Sequence, residues 1–188
     1  MTEYLDIIDN SGLIVGTMSR EEAYQKNCAL QVSGVLLFRS NGNLILQRRG
    51  KNKRYPLCYD YSAAGHVLSG ESFLQAAHRE LEEELGITNV ILTPLGQVKA
   101  YQKEESQKLR KLHTIFRTVC DAPVKIYEEE LDGVDEFSKN KLNSYIKQCP
   151  EKFTPTFIKV YNEIILPQNL FTKPFVSQQM HKIGSDGR

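Results

Sequence analysis

The stretch GHVLSGESFLQAAHRELEEELGI, residues Gly65–Ile87, carries more information than any other part of this chain. We predict a helix over residues 71–85, in which 3.6 residues per turn place Glu80, Glu83 and Glu84 on one face. The apolar positions form a second stripe that faces a core, made of Leu74, Ala77, Leu81 and Leu85. The helix therefore has a buried apolar side and a strongly anionic side.

The anionic side of this helix requires positive charge nearby. Carboxylates one turn apart destabilise an isolated helix by about 0.2–0.5 kcal/mol per pair, and Arg79 alone cannot neutralise several of them. Clustered carboxylates without cysteine are the ligand type of hard divalent cations, above all Mg²⁺. The alternative is that the glutamates form only a solvated acidic face, as in many glutamate-rich helices.

Glycines flank the predicted helix on both sides. Gly65 permits a tight backbone turn, and its carbonyl oxygen is available to join a metal's ligand set. Gly86 fits the left-handed position that ends a helix. Gly86 therefore marks the predicted end of the acidic helix, and Gly65 precedes its start.

The whole stretch resembles the Nudix box, Gly-x5-Glu-x7-Arg-Glu-aliphatic-x-Glu-Glu-x-Gly-aliphatic, at every specified position. On this resemblance the chain is identified as a member of the Nudix hydrolase superfamily. The resemblance implies an α/β fold in which a mixed β-sheet is sandwiched between helices. It also implies Mg²⁺-dependent hydrolysis of a diphosphate, such as a nucleoside diphosphate linked to a group X, by attack of water at phosphorus. Mn²⁺ is the alternative metal.

The resemblance assigns roles by position. It implies metal ligands at Glu80, Glu83 and Glu84, with support from Glu71 and the Gly65 carbonyl, and a salt bridge from Arg79 to the glutamates. Catalysis would rest on Glu80, Glu83 and Arg79. The general base is either a box glutamate or a distant acid, and the distant candidates are Glu128, Glu129 and, preferred among them, Glu130.

A cationic run precedes the box and is a candidate for binding substrate phosphates. Five cations fall within seven residues: Arg48, Arg49, Lys51, Lys53 and Arg54. Because the run lies between strands that lead into the acidic helix, we predict phosphate binding by Arg48, Arg49, Lys53 and Arg54. The alternative is an exposed solubilising loop. His66 is a further candidate for contact with phosphate or metal, although a lone histidine is more often a structural hydrogen-bonding residue.

A second resemblance concerns the isopentenyl-diphosphate isomerase branch of the same superfamily. It rests on EYLDIIDNSGLIVGTMSREEAYQ and LILQRRGKNKRYPLCYDYSAAGH, within residues 3–87. The isomerase cysteine is replaced by Ala64, and Ala29–Val32 offers no histidine, whereas the Nudix box is complete. We therefore predict a hydrolase. An isomerase and a catalytically silent nucleotide-sensing module are the alternatives.

The remaining pattern predicts strands, one helix, more strands and C-terminal helices. Strands are expected at 4–8, 13–18, 31–38, 44–48, 60–64, 90–101, 113–120 and 125–131, with a charged loop at 104–111. Besides the box helix, helices are expected at 20–26, 139–148 and 155–165, the last stopped by Pro167. The expected organisation is an N-terminal extension at 1–30, the Nudix domain at 31–166 and a mobile tail at 167–188.

Composition restricts the partners and the compartment. The chain has 188 residues, 40% of them apolar, and a net charge of +1, which favours neither nucleic acid nor a membrane surface. We expect no signal peptide, because residues 1–10 carry acids and no apolar stretch. No apolar run approaches the roughly 18 residues of a membrane span, and the four cysteines form no CxxC pair. We expect a cytoplasmic protein with a small-molecule diphosphate as substrate. A homodimer is compatible with the family.

Overall fold

Strand β3, Ala29–Phe38, is the centre of the fold. The computed structural model describes residues 2–101, 108–127 and 131–171. Within that part of the chain nine strands form one mixed sheet. The other strands are β1 Tyr4–Ile8, β2 Ile14–Ser19, β4 Leu44–Arg49, β5 Tyr59–Asp60, β6 Ala63–His66, β7 Thr93–Tyr101, β8 Leu109–Val119 and β9 Leu131–Phe137.

Two of the described helices lie between strands, and the others follow β9. The bounds are α1 Arg20–Gln25, α2 Phe73–Leu85, α3 Lys139–Gln148, a 3₁₀ turn Pro150–Lys152 and α4 Pro155–Val160, which continues through a π-helical turn Tyr161–Ile165 into α5 Leu166–Gln168. Side-chain caps start the longer ones, because Ser72, Ser138 and Thr154 each accept a hydrogen bond from a backbone N–H of the first turn. Among the described residues, no helix has the length and apolar character needed to span a membrane.

The two edges of β3 are used differently. One edge pairs in parallel with β8 along its length, and the opposite edge is shared in turn by β1, β6 and β4, all antiparallel. Strand β4 then leaves β3 to pair with β5 and β9. Strands β4 and β6 both pair with the same edge of β3. Residues of β4, β6 and helix α2 together line a cleft.

Helices cover both faces of the sheet, as predicted. Alternation along β3 sends Val35 and Leu37 to the face that α2 covers with Ala77, Leu81 and Leu85. Leu36 and Phe38 point to the other face, which the C-terminal helices cover with side chains that include Leu142, Phe157, Val160 and Ile164. The predicted α/β class with a mixed sheet between helices is confirmed.

Helix α2 differs from the prediction at its start. It begins at Phe73, after a capping box in which Ser72 and Gln75 exchange side-chain-to-backbone hydrogen bonds, so Glu71 precedes the helix. Leu74 is 44% exposed, because the first turn stands clear of the apolar cluster that holds Ala77 and the leucines of the later turns. Gly86 ends the helix with φ 65°, as predicted.

Two other boundaries were predicted incorrectly. The last strand is Leu131–Phe137 rather than 125–131, since its alternating residues pair with β4 only from Leu131 onward. Strand β8 already begins at Leu109, where a loop was expected.

The C-terminal helix continues past Pro167, which the π-helical turn accommodates, and ends at Asn169 with φ 49°. Leu170 is buried and the Phe171 ring lies 5.4 Å from that of Phe38, so residues beyond the expected boundary at 166 pack on the core. The rest of the predicted tail, 172–188, lies outside the described residues.

Candidate active site

Arg79 is the centre of the carboxylate cluster. Its Nε and Nη2 form a bidentate pair with Glu71, each at 3.0 Å, and its Nη1 contacts Glu80 at 2.6 Å and Glu83 at 3.1 Å. Nη2 also donates to the His66 carbonyl at 2.9 Å. Burial acts to lower the pKa of Arg79, but the hydrogen bonds and charges of Glu71 and Glu80 raise it above its ordinary value. The guanidinium therefore ties the segment before α2 to the helix itself.

Gly65 is required for a reason that differs from the predicted turn. It lies inside strand β6, and a Cβ built on it would stand 1.8 Å from Oε1 of Glu80. The Glu80 carboxylate thus occupies the space that any other side chain at position 65 would fill. Glycine is needed for close approach of a carboxylate to the strand.

Glu84 is buried, with 6% exposure, and is held by the sheet rather than by Arg79. Its Oε2 accepts hydrogen bonds from the Ala64 backbone N–H at 2.8 Å and from Nε2 of Gln47 at 3.2 Å. Gln47 lies on β4 and is itself buried. Sequence reasoning missed it, although a polar residue directly after the apolar Leu44–Leu46 run was the available signal.

The strand register indicates which backbone carbonyl faces the carboxylates. The Val67 N–H donates to the Gln31 carbonyl, so the next bonded pair along the ladder joins Gly65 to Ser33 and turns the Gly65 carbonyl toward β3. Ala64 alternates with Gly65, and its N–H points to Glu84. The carbonyl of Ala64 points to the same side, which makes it a better candidate for a metal's ligand set than the carbonyl of Gly65.

The donor set suits a hard divalent cation in residue type and position. The side chains are oxygen donors without sulfur, and Glu83 is 58% exposed and so able to reorient. Within the described residues, no three His, Cys, Asp or Glu side chains converge on a point that would hold a metal ion as they stand. The cause is visible, since Glu80 and Glu83 turn to Arg79 and Glu84 turns to the β6 backbone.

The carboxylates line a cleft of about 1530 Å³. Its described lining also includes Tyr61 and His113 from the sheet, Arg49, Lys53 and Arg54 from the cationic run, Thr154, Lys159 and Asn162 from the C-terminal segment, and Arg20, Tyr24, Arg110 and Lys111 from α1 and β8. A cleft of this size with both carboxylates and cations in its walls suits a phosphorylated small molecule together with its metal ions.

Some residues of the cationic run form ion pairs with neighbouring strands, and some line the cleft. Arg48 pairs with Asp132 at 2.8 Å. It is not one of the described residues that line the cleft. Arg49 lines the cleft, but its Nη1 pairs with Asp60 at 2.9 Å and its Nε donates to the Arg54 carbonyl. These two arginines mainly fasten β4 to its neighbours.

Lys53 and Arg54 are the members of the run that line the cleft from the segment after β4. Both line it, and the Arg54 guanidinium lies 5.0 Å from the centre of the Tyr55 ring. Of the predicted phosphate ligands in the run, these two are placed best to meet a substrate.

His66 is present in its neutral form. Its Nε2 lies 3.0 Å from the Tyr24 hydroxyl, and the two rings meet edge to face. Burial, followed by the positive charges of Lys111 and Arg20, lowers the pKa of His66 to about 2. The side chain is therefore a hydrogen-bonding group of the cleft wall and supplies no positive charge.

The predicted general-base candidates Glu128, Glu129 and Glu130 lie outside the described residues.

His113 is a buried cleft residue that sequence reasoning did not single out. It is 5% exposed, the Tyr61 hydroxyl lies 3.3 Å from its Nδ1, and its Nε2 has no hydrogen-bond partner among the described residues. Burial, assisted by the charge of Lys111, lowers the pKa of His113 to about 3. A histidine among the β-branched and apolar residues of Leu112–Phe116 was the available signal in the sequence.

We expect His113 to make stability depend on pH. Because its pKa falls from 6.5 in the unfolded chain to about 3 in the fold, the unfolded state binds a proton that the folded state does not between these values. The free energy of unfolding therefore falls as pH is lowered below 6.5, by up to about 1.4 kcal/mol per pH unit for such a group. His113→Gln lacks this contribution. The free energy of unfolding of wild type minus that of the variant should therefore decrease as pH is lowered. Urea unfolding of both proteins at pH 7.5, 6.0 and 5.0 measures this difference in the free energy of unfolding. A difference that does not change with pH would contradict a lowered pKa of His113 in the fold.

Comparison with known proteins identifies relatives of this chain. A model of the NUDIX domain matches residues 30–157. An uncharacterized Nudix hydrolase of Nostoc sp. is 36% identical over 142 residues, covering 73% of this chain and 75% of the relative. Another from Yersinia pestis is 31% identical over 158 residues, covering 84% and 82%. Both are named hydrolases, and the resemblance to the isomerase branch stays a prediction.

Solved structures share the fold. The crystal structure of DR0079 from Deinococcus radiodurans superposes with a TM-score of 0.67 at 24% identity, covering 78% of this chain and 90% of that one. The NUDIX domain of Shewanella oneidensis NrtR, solved in complex with ADP ribose, superposes with a TM-score of 0.58 at 14% identity, covering 81% and 99%. At these identities the likeness establishes the architecture.

Proposed function

This chain belongs to the Nudix hydrolase family, and we propose that it hydrolyses a diphosphate, such as a nucleoside diphosphate linked to a group X, with Mg²⁺. The observation that carries the proposal is the carboxylate cluster, in which Glu80, Glu83 and Glu84 of the box line one cleft with cations in its walls and Glu71 pairs with Arg79 beside them. The ADP ribose bound by the NrtR domain supports a nucleoside diphosphate as the substrate class.

Glu80, Glu83 and Glu84 would hold the metal, with the Ala64 carbonyl as a backbone ligand and Mn²⁺ as a substitute ion. When bound, the metal neutralises charge on the phosphate oxygens and lowers the pKa of a coordinated water. The chain's own residues hold the carboxylates at the cleft, from which they would turn to the metal. Arg79 holds Glu80 and Glu83 at the cleft, and the Ala64 N–H with Gln47 orients Glu84.

The reaction itself is a displacement at phosphorus. The water oxygen forms a bond to one phosphorus, the bridging P–O bond breaks, and the electron pair leaves with the bridging oxygen. A carboxylate takes the proton of the water. Glu83, the most exposed of the box glutamates that contact Arg79, and Glu130 are the candidates for that step. Lys53 and Arg54 would bind the substrate phosphates through charge-assisted hydrogen bonds.

The N-terminal extension, which we place at residues 1–30, would contribute to substrate binding. Arg20 and Tyr24 of α1 line the same cleft as the carboxylates, which supports this role. The catalytic domain would comprise residues 31–166 together with the segment through Phe171 that packs on its core.

A substrate panel tests the proposal. ADP-ribose, nucleotide sugars, dinucleotide cofactors, coenzyme A, nucleoside triphosphates and isopentenyl diphosphate are each incubated with Mg²⁺ or with chelator, and the products are separated by chromatography. We expect metal-dependent cleavage of at least one diphosphate, and reaction in ¹⁸O-water should place the label on a phosphate product. Tight binding without cleavage would favour a sensing module, and isomerised isopentenyl diphosphate would favour the isomerase branch. Either result would overturn the hydrolase proposal.

A further inference from the structure

A second cluster of cations lines the cleft, away from the run at residues 48–54. It is formed by Arg20 and Tyr24 of α1, His66 of β6, and Arg110 and Lys111 of β8, and we call it the basic corner. None of its three cations belongs to the Nudix box. The parallel pairing of β8 with β3 brings it together, because Lys111 lies beside Leu30 at the end of β3 from which α1 also departs.

Tyr24 is the hub of the basic corner. Its hydroxyl lies 3.0 Å from Nε2 of His66 and 3.4 Å from Nζ of Lys111. The Arg110 guanidinium and the Lys111 ammonium lie 5.6 Å and 5.7 Å from the centre of its ring. Cation–π contacts therefore hold the two positive charges on the tyrosine side of the cleft.

Of the three cations of the basic corner, Arg20 alone forms an ion pair with a carboxylate in the described part of the chain. Arg20 pairs with Glu3 at 2.7 Å and so contributes little net charge. Arg110 donates to the Cys28 carbonyl and Lys111 to the Tyr24 hydroxyl, and in the described part of the chain neither forms an ion pair with a carboxylate. The corner thus presents two positive charges.

The position of Lys111, partly buried and close to Arg110, disfavours its charged form and lowers its pKa. Burial lowers the pKa of its ammonium and outweighs Tyr24 and Asp60, which act to raise it, while the charge of Arg110 adds to the lowering. A bound anion would relieve both effects, since it supplies hydrogen-bond acceptors and opposite charge. A phosphate monoester carries about −1.5 to −2 charge at neutral pH, which matches Arg110 and Lys111 together.

The corner is connected to the carboxylates through the backbone of β6. His66 contributes its side chain to the corner, while its carbonyl accepts the hydrogen bond from Arg79. Lys53 and Arg54 approach the cleft from a different element, the segment after β4. One bound molecule can therefore meet the carboxylates and two separately supplied groups of cations.

We propose that the basic corner binds a phosphate monoester of the substrate, so that the enzyme prefers diphosphates that carry a further phosphate beyond the cleaved linkage. This inference rests on the proposed function for its substrate, but the anion site itself is defined by Tyr24, Arg110 and Lys111.

Matched pairs of ligands test it. NADPH and NADH, and coenzyme A and 3′-dephospho-coenzyme A, share the same diphosphate within each pair and differ by one phosphate monoester. We expect kcat/KM with Mg²⁺ to favour the phosphorylated member of at least one pair by about 10-fold or more, as for a hydrogen bond between charged groups. Lys111→Gln and Arg110→Gln should reduce that ratio to near one. Lys111→Arg, which keeps the charge, should retain it, and Lys147→Gln on the exposed side of α3 should leave it unchanged.

Binding of the same pairs, measured by calorimetry in the presence of chelator, separates this inference from the hydrolase proposal. A preference for the phosphorylated member that Lys111→Gln abolishes supports the basic corner even if no hydrolysis is found. Equal binding of both members in both pairs, no binding of any of them, or a preference that persists in both glutamine variants overturns it.

Discussion

We expect replacement of Glu83 by glutamine to lower kcat by about 100-fold or more, which corresponds to roughly 2.7 kcal/mol of lost transition-state stabilisation. Glu83 is the carboxylate in contact with Arg79 that has the most solvent exposure, so it can reorient toward a metal or an attacking water. The amide keeps the shape and loses the charge. Because Arg79 keeps its contacts with Glu71 and Glu80, the fold should be preserved.

Glu82→Gln is the matched control for this result. Glu82 is exposed on the same helix, one residue away, and among the described residues it is not part of the cleft lining. Steady-state kinetics at several Mg²⁺ concentrations should show wild-type behaviour for Glu82→Gln and a large loss for Glu83→Gln, with equal melting temperatures. Full activity in Glu83→Gln would remove this residue from the metal and proton-transfer assignments.

The substitution Gly65→Ala should reduce activity by a similar factor through a single methyl group. The added Cβ would stand 1.8 Å from Oε1 of Glu80, so the Glu80 carboxylate must move out of the position next to β6. A displacement of this size at a catalytic group costs about 100-fold in rate. Gly65 does not have a positive φ, so alanine introduces no backbone strain there. The substitution therefore tests the contact with Glu80 alone.

The cost in stability should be much smaller than the cost in rate. The displaced group is the end of a flexible side chain, and we expect a loss of about 1 kcal/mol as the contact with Arg79 weakens. Gly16→Ala serves as the control, since a Cβ there meets no atom within 4 Å. Kinetics together with urea unfolding of both variants measure the two effects. Wild-type kcat in Gly65→Ala would show that Glu80 serves catalysis equally well from another position.

The sequence by itself determined the features that depend on neighbouring residues. Helical periodicity placed Glu80, Glu83 and Glu84 on one side of α2, and Gly86 ended that helix as predicted. The N-caps at Ser138 and Thr154 are equally local, because each depends on a hydroxyl and a backbone N–H three residues away. The spacing of the box was sufficient to identify the family and therefore the layered fold.

Only the tertiary structure decided which partner each of these groups meets. Arg48 was expected to bind phosphate but is taken up by Asp132, 84 residues later in the chain. Gln47, which orients Glu84, and the basic corner around Tyr24 depend on strands and helices that are distant in sequence. The register of one strand against another decides such contacts, because a shift of a single residue would turn every side chain to the opposite face. No local pattern in the sequence encodes that choice.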